Sequence, residues 1–180
     1  RKEITIKDLA NRVQCANEDA LQVTQSHSSP ISPPPFMAGA AEVEVDLETG
    51  QVELIKFAAA VDCGTPLNEN LARVQTEGGL VQGIGMALYE DVSYSKDGKV
   101  HENSFMQYKV PSRLDVGRVQ VEFESSFEPT GPFGAKSIGE VVINTPSPAI
   151  ANAVYNAVGV RTRELPITAE KVFKGMNGLD

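Results

Sequence analysis

The chain has 180 residues, 41% of them hydrophobic and 22% charged, and a formal net charge of −8. That size and apolar content support one globular domain with its own core and exclude a disordered chain. The acidity, with Lys and Arg scattered, excludes a nucleic-acid surface, which needs clustered cations, and no apolar run approaches the ~20 residues of a membrane span.

The first predicted element is a helix. Thr5-Ile-Lys-Asp8 fits a capping box, and Ile6, Leu9 and Val13 can share one face. Leu21–Gln25 reads as a short strand. Residues 28–36 hold four prolines and three serines, so an extended loop is expected there. From Ala41 the pattern has period two, with Val43, Val45 and Leu47 opposite Glu42, Glu44 and Asp46. Glu48-Thr-Gly50 turns the chain into a second strand, Gln51–Val61, whose Phe57-Ala-Ala-Ala-Val61 end predicts burial on both faces. Asn68 is positioned to cap a helix running to about Glu90, with Val74, Val81, Ile84 and Leu88 as its apolar stripe and Gln75, Gly79, Gln82 and Met86 on another face. A second hairpin is predicted around Lys96-Asp-Gly98, then a strand Phe105–Val110 ended by Pro111, then an alternating strand Arg118–Glu124. Pro129–Glu140 is irregular. Ser147 and Thr168 cap two last helices, the first with Pro148 at its first position and Gly159 past its end, the second ending near Gly175. The sum is an α+β fold: antiparallel hairpins and a mixed sheet packed with three to four helices, one of them glycine-rich, as a single domain over 1–180.

Two stretches carry chemical interest. The helix after Asn68 has Gly78, Gly79, Gly83 and Gly85 inside it, each costing about 1 kcal/mol against Ala. Such a cluster is explained by close approach, either of a neighbouring element or of a bulky ligand. Gln75 and Gln82 beside it can donate and accept hydrogen bonds to a polar ligand, or simply face solvent. The other stretch is Gly131-Pro-Phe-Gly-Ala-Lys-Ser-Ile-Gly-Glu140. Its Lys-Ser invites a phosphate loop, but Ala135 stands where that motif requires Gly, and no strand leads in. What remains is a flexible backbone delivering one carboxylate, Glu140, ahead of the apolar run Val141-Val-Ile143. A carboxylate desolvated by apolar neighbours is tuned toward general-base work; an exposed loop Glu, or a charge near the next helix start, is the competing reading. Cys15 and Cys63 lie far apart and read as free buried thiols, and His27 and His101 have no ligand spacing, so no metal-ligating set is expected.

Taken in order, these stretches resemble the molybdenum hydroxylase family of xanthine dehydrogenases and aldehyde oxidases. Gln75-Thr-Glu-Gly-Gly-Leu-Val-Gln-Gly-Ile-Gly85 is similar to that family's Gln-x-x-Gly-Gly-x-x-Gln-Gly-x-Gly helix, and Gly134-Ala-Lys-Ser-Ile-Gly-Glu140 to its Gly-Ala-Lys-Gly-x-Gly-Glu signature. The Asp46–Gly50 turn, Val61-Asp-Cys-Gly64, Tyr108-Lys-Val-Pro111 and Leu165-Pro166 also match, so the likeness runs from about Pro34 to Val172. Departures are Asn68-Glu69 for Asn-Pro, Val74 for Gly, and Ser137 for Gly; they bear on pterin contacts rather than on the base.

The resemblance implies a C-terminal piece of a molybdopterin-binding subunit, consistent with the missing initiator Met. In that family the Glu closing the signature is the catalytic base toward a hydroxide on molybdenum, which places that role on Glu140. Gln75, Gly79, Gln82, Lys136, Ser137 and Gly139 are the expected cofactor-binding residues, with the metal held by the pterin and by no protein ligand. The implied activity is hydroxylation of a purine or related N-heterocycle with water-derived oxygen. An aldehyde oxidase, a carbon monoxide dehydrogenase large subunit and a non-catalytic interaction domain are the alternatives. Implied partners are the remainder of the molybdenum subunit, iron–sulfur and FAD modules on other domains or subunits, and a small-molecule substrate. Nucleic acid and membrane are not expected as partners. An oligomeric enzyme in the cytoplasm is.

Overall fold

A computed structural model describes residues 3–16, 22–26 and 28–179. Its contacts divide the chain into two compact units, Arg1–Pro30 and Ile31–Asp180, whereas composition predicts one domain; the division falls inside the loop 28–36. In the first unit α1 spans Ile6–Cys15. Thr5 caps it as expected, its hydroxyl accepting from the Asp8 N–H at 3.1 Å and donating to the Asp8 carboxylate at 2.6 Å. No residue of α1 is buried, so Ile6 and Leu9 share a face that stays exposed, and Cys15 is exposed rather than buried. Residues 22–25 form no strand, against expectation; Leu21 and His27 lie outside the described residues.

The second unit is built on a three-stranded mixed sheet in the order β1-β2-β3: β1 Phe36–Val45, β2 Val52–Asp62 and β3 Arg118–Phe123. β1 and β2 form the predicted antiparallel hairpin, with Glu42 opposite Lys56, Val43 opposite Leu54 and Val45 opposite Val52. Between the first two pairs β2 carries one extra residue, Ile55, and the bulge resets the phase of the strand. Val52 and Leu54 before it, and Phe57, Ala59 and Val61 after it, therefore all face the core. Ala60 is exposed, so the Phe57–Val61 end is buried on one face and not on two. Leu47 sits exposed in the turn, where the Asp46 carboxylate accepts from the Glu48 and Thr49 N–H groups.

α2, Glu69–Leu88, crosses from β2 back to β3, which pairs parallel to β2. The Asn68 side chain accepts from the Leu71 N–H at 3.1 Å and caps the helix. The buried stripe is Thr76, Gly79, Leu80, Gly83, Ile84 and Ala87. It is rotated from the predicted one: Val74 is 66% exposed and Gly79 faces inward. The small residues turn inward because the next segment lies too close for larger ones. Arg73 ties α2 to β3, donating to the Val121 carbonyl at 2.6 Å and lying over the Phe123 ring.

The connection from α2 to β3 is mostly irregular. Around Lys96-Asp-Gly98 the predicted hairpin shrinks to one bridge, Tyr94 to Val100. Phe105–Val110 is not a strand: Ser104 closes a turn through its carbonyl, which accepts from the N–H groups of Gln107 and Tyr108, and Phe105 and Met106 stay exposed. α3 spans Pro146–Val158 and starts at Thr145–Pro146 rather than at Ser147; Gly159 ends it in the left-handed region, as predicted. α4, Ala169–Asn177, is capped by Thr168 as predicted. α3 packs on β1 and α2, and the core gathers Leu54, Phe57, Leu80, Ile84, Val121, Ile150, Val154 and Val172. Asn68→Ala should lower stability by about 1 kcal/mol in urea unfolding, with Asn68→Asp close to wild type, because only the former leaves an end N–H without its acceptor.

Candidate active site

Asp62 closes β2 and is followed by Cys63-Gly64-Thr65, which zips onto the start of the glycine-rich signature. The Lys136 N–H donates to the Cys63 carbonyl at 2.7 Å, and the Thr65 N–H donates to the Gly134 carbonyl at 2.8 Å. Gly64 lies between them with φ +69°, and a Cβ there would stand 2.3 Å from the Gly134 carbonyl oxygen. No other residue fits that seam. Across it the Lys136 ammonium meets the Asp62 carboxylate at 2.6 Å; the lysine side chain is only 7% exposed and the aspartate 22%. Asp62 also accepts from the Ser126 hydroxyl at 2.5 Å and the Gly64 N–H at 3.0 Å. The bond from Lys136, then that from Ser126, hold its carboxyl well below the ordinary range, at about 2. Cys63 is buried beside them, and desolvation pushes its thiol up, away from the reactive thiolate.

Past Lys136 the chain runs to α2. Gln75 donates its side-chain N–H to the Gly139 carbonyl at 2.8 Å. Glu140 follows, then a single 3₁₀ turn, Val141–Ile143, that packs on α2. A Cβ on Gly79 would stand 2.1 Å from a Val142 methyl, and one on Gly83 2.7 Å from the Pro146 ring. These two glycines thus exist for helix-to-loop packing. Gly78 differs: a Cβ there would meet nothing within 4 Å.

Between α2 and this loop lies a cleft of about 290 Å³, lined by Gln75, Gly78, Gly79, Gln82, Gly139 and Glu140 among others. Five of the seven expected site residues converge on it. A second cleft, of about 480 Å³, shares Gln75 and Gly139 and includes Lys136. Ser137 is exposed and lines neither. The Glu140 carboxylate is exposed, not enclosed by Val141–Ile143, because Val142 turns down under Gly79. It makes no capping bond to the 3₁₀ turn, and among the described residues nothing hydrogen-bonds it. The lining combines two amides, glycine backbone and one carboxylate with the apolar Val74, Val142 and Ile143, and no group of three His, Cys, Asp or Glu gathers among the described residues. A polar heterocycle with a hydrogen-bonding rim fits such a surface, with Gly78 open for its approach.

Residues 1–117 match the family described as the molybdopterin cofactor-binding domain. The chain belongs to that family. Gln75, Gly79 and Gln82 fall inside the matched span and Lys136–Glu140 beyond it. Among its relatives, the probable hypoxanthine oxidase XdhD of Escherichia coli K12 is 35% identical over 97% of this chain. The 6-hydroxypseudooxynicotine dehydrogenase complex subunit gamma of Paenarthrobacter nicotinovorans is 37% identical over 81% of it. The aldehyde oxidoreductase structure from Desulfovibrio gigas superposes with a TM-score of 0.73 at 32% identity, covering 79% of this chain and 15% of that one. The chain spans under a fifth of the length of these relatives, 18% and 19% for the two sequences. No helix among the described residues is long and apolar enough to cross a membrane.

Asp62 was not among the expected site residues, although Val61-Asp-Cys-Gly64 stood out. Its sequence signal is an acid that ends an apolar strand.

Two outcomes test this geometry. Gly78→Ala should raise thermal stability by about 0.5–1 kcal/mol, whereas Gly79→Ala should lower it by about 1–3 kcal/mol through overlap with Val142. Because Asp62 has its folded value near 2 and an ordinary value of 3.8, its contribution is complete above about pH 4 and is lost as pH falls toward 2. The stability difference between wild type and Asp62→Asn, followed by denaturant unfolding, should shrink across that window.

Proposed function

We propose that this chain is the C-terminal molybdopterin-binding part of a molybdenum hydroxylase subunit and that Glu140 is its general base. The observation that carries the reading is the Gln75–Gly139 hydrogen bond, which ties the residue before Glu140 to α2, where Glu140 lines one cleft with Gln75, Gln82 and the open Gly78. Gln75, Gln82 and the backbone of Gly139 would hold the pterin edge, with Gly78 leaving room for it. When bound, the molybdenum cofactor supplies a two-electron redox centre for hydroxylation with water-derived oxygen. Glu140, with no partner of its own, is available to take a proton from the attacking oxygen species. Its exposed side is where the cofactor and the rest of the subunit would exclude water and tune its basicity. Ser137, exposed beside the cleft, would reach the cofactor only through its backbone or a hydroxyl turned inward.

The preferred substrate class is a purine or related N-heterocycle, supported by the 35% identity to a protein named as a hypoxanthine oxidase. The likeness to an aldehyde oxidoreductase favours an aldehyde as the second reading. Electrons would leave through iron–sulfur and flavin modules on other domains or subunits of a cytoplasmic assembly.

Glu140→Gln keeps the shape of the side chain and removes the proton acceptor. In the intact enzyme it should cut the rate of cofactor reduction by substrate by about 10²–10⁴-fold or more, with substrate affinity changing much less. Molybdenum content, measured by elemental analysis, should stay at the wild-type level. Near-wild-type reduction at unchanged molybdenum content would make Glu140 a structural residue.

A further inference from the structure

We propose that Asp62 is a positioning residue for the site: through its ion pair with Lys136 it fixes where the Gly139–Glu140 segment stands against α2. The inference rests on the reading of Glu140 as the base. Upstream of Glu140 the loop is held by polar contacts at two points three residues apart, and downstream Val142 is buried under Gly79. At one, Lys136 is pinned by its ammonium to Asp62 and by its N–H to the Cys63 carbonyl; at the other, Gly139 accepts from Gln75. Between them Ser137 is exposed, and Ile138 packs, partly buried, against the core without a directional bond.

The two anchors are not equivalent. Gln75 is an exposed side chain, and its single neutral bond competes with water. The Lys136–Asp62 pair is enclosed, and Asp62 is itself held on two further sides by Ser126 and Gly64. A charge-assisted contact in that setting is directional and rigid. The Lys136 ammonium also lies 5.2 Å from the centre of the Phe36 ring. The rigid polar anchor upstream of Glu140 is therefore at Lys136, and the path of the loop toward α2 starts from it. This also assigns Lys136 its part: its ammonium is occupied by Asp62, and it serves the cofactor cleft by holding the loop.

The test uses the intact molybdenum enzyme. Asp62→Asn keeps an acceptor for Ser126 and Gly64 and removes the charge; Asp62→Asn/Lys136→Met removes the ion pair without stranding a buried ammonium, so that a folded variant is in hand. Hydrogen exchange of the Thr65 and Lys136 amides reads the seam, and the Val172 amide of α4 reads global stability. Turnover is followed with whichever of hypoxanthine, quinoline or benzaldehyde the wild type oxidises. Expected are seam amides exchanging at least about tenfold faster, Val172 unchanged, kcat lowered by about tenfold or more, and KM within about threefold, the split for a misplaced reacting group. The positioning role is overturned if kcat stays within about twofold of wild type while Glu140→Gln is inactive, or if Val172 exchange rises together with that of the seam. Normal turnover by Glu140→Gln with the seam opened by Asp62→Asn overturns the base assignment instead.

Discussion

The Lys136–Asp62 ion pair is the constraint on which the rest of the site depends. A lysine side chain only 7% exposed must meet an acceptor, and stranding it would cost about 3–5 kcal/mol. Asp62 supplies that acceptor at the end of β2, so the glycine-rich loop has to lie across the strand end. Once it lies there, Gly64 must take its left-handed conformation to clear the Gly134 carbonyl. The chain leaving Lys136 then reaches α2 within three residues. The ion pair thus starts the path that Gln75 and Val142 complete on either side of Glu140.

α2 shows how one run of small residues can serve two purposes. Gly79 and Gly83 point into the unit and are filled by Val142 and Pro146. They convert helix propensity into proximity, bringing the loop against the helix at backbone distance. Gly78, one position away, faces the cleft and touches nothing. A single residue step on a helix turns the side chain by about 100°, enough to separate the packing function from the opening. Packing accounts for Gly79 and Gly83, and Gly78 stays open on the cleft side.

Much of the framework was legible because its signals are local. Thr5, Asn68 and Thr168 cap their helices by hydrogen bonds to the residue three positions on, and the Asp46–Gly50 turn is closed by its own aspartate. β3 announced itself by alternation. The misreadings are of non-local origin. The α2 stripe was placed on large residues, but the buried face is chosen by what packs against it, and Val142 demands glycine. Phe105–Val110 has strand composition, yet no neighbouring edge takes it up, and Ser104 turns the chain instead. At the site, Gln75, Gly79, Gln82, Gly139 and Glu140 were readable as a group from the two motifs and do share a cleft. The exposure of Glu140 was not, since apolar neighbours in sequence do not by themselves cover a carboxylate. Asp62 escaped because its partner is 74 residues away.

The extra residue at Ile55 gives β2 an unusual kind of tolerance. Its side chain is exposed and pairs with nothing across the hairpin, so many residues would serve there. Its presence is another matter. Remove that one position and the strand after it rotates by half a turn: Phe57, Ala59 and Val61 would swing to the open face and Asp62 would turn with them, away from Lys136. The strand is indifferent to what stands at 55 and strict about something standing there. Length, in this stretch, is under tighter control than identity.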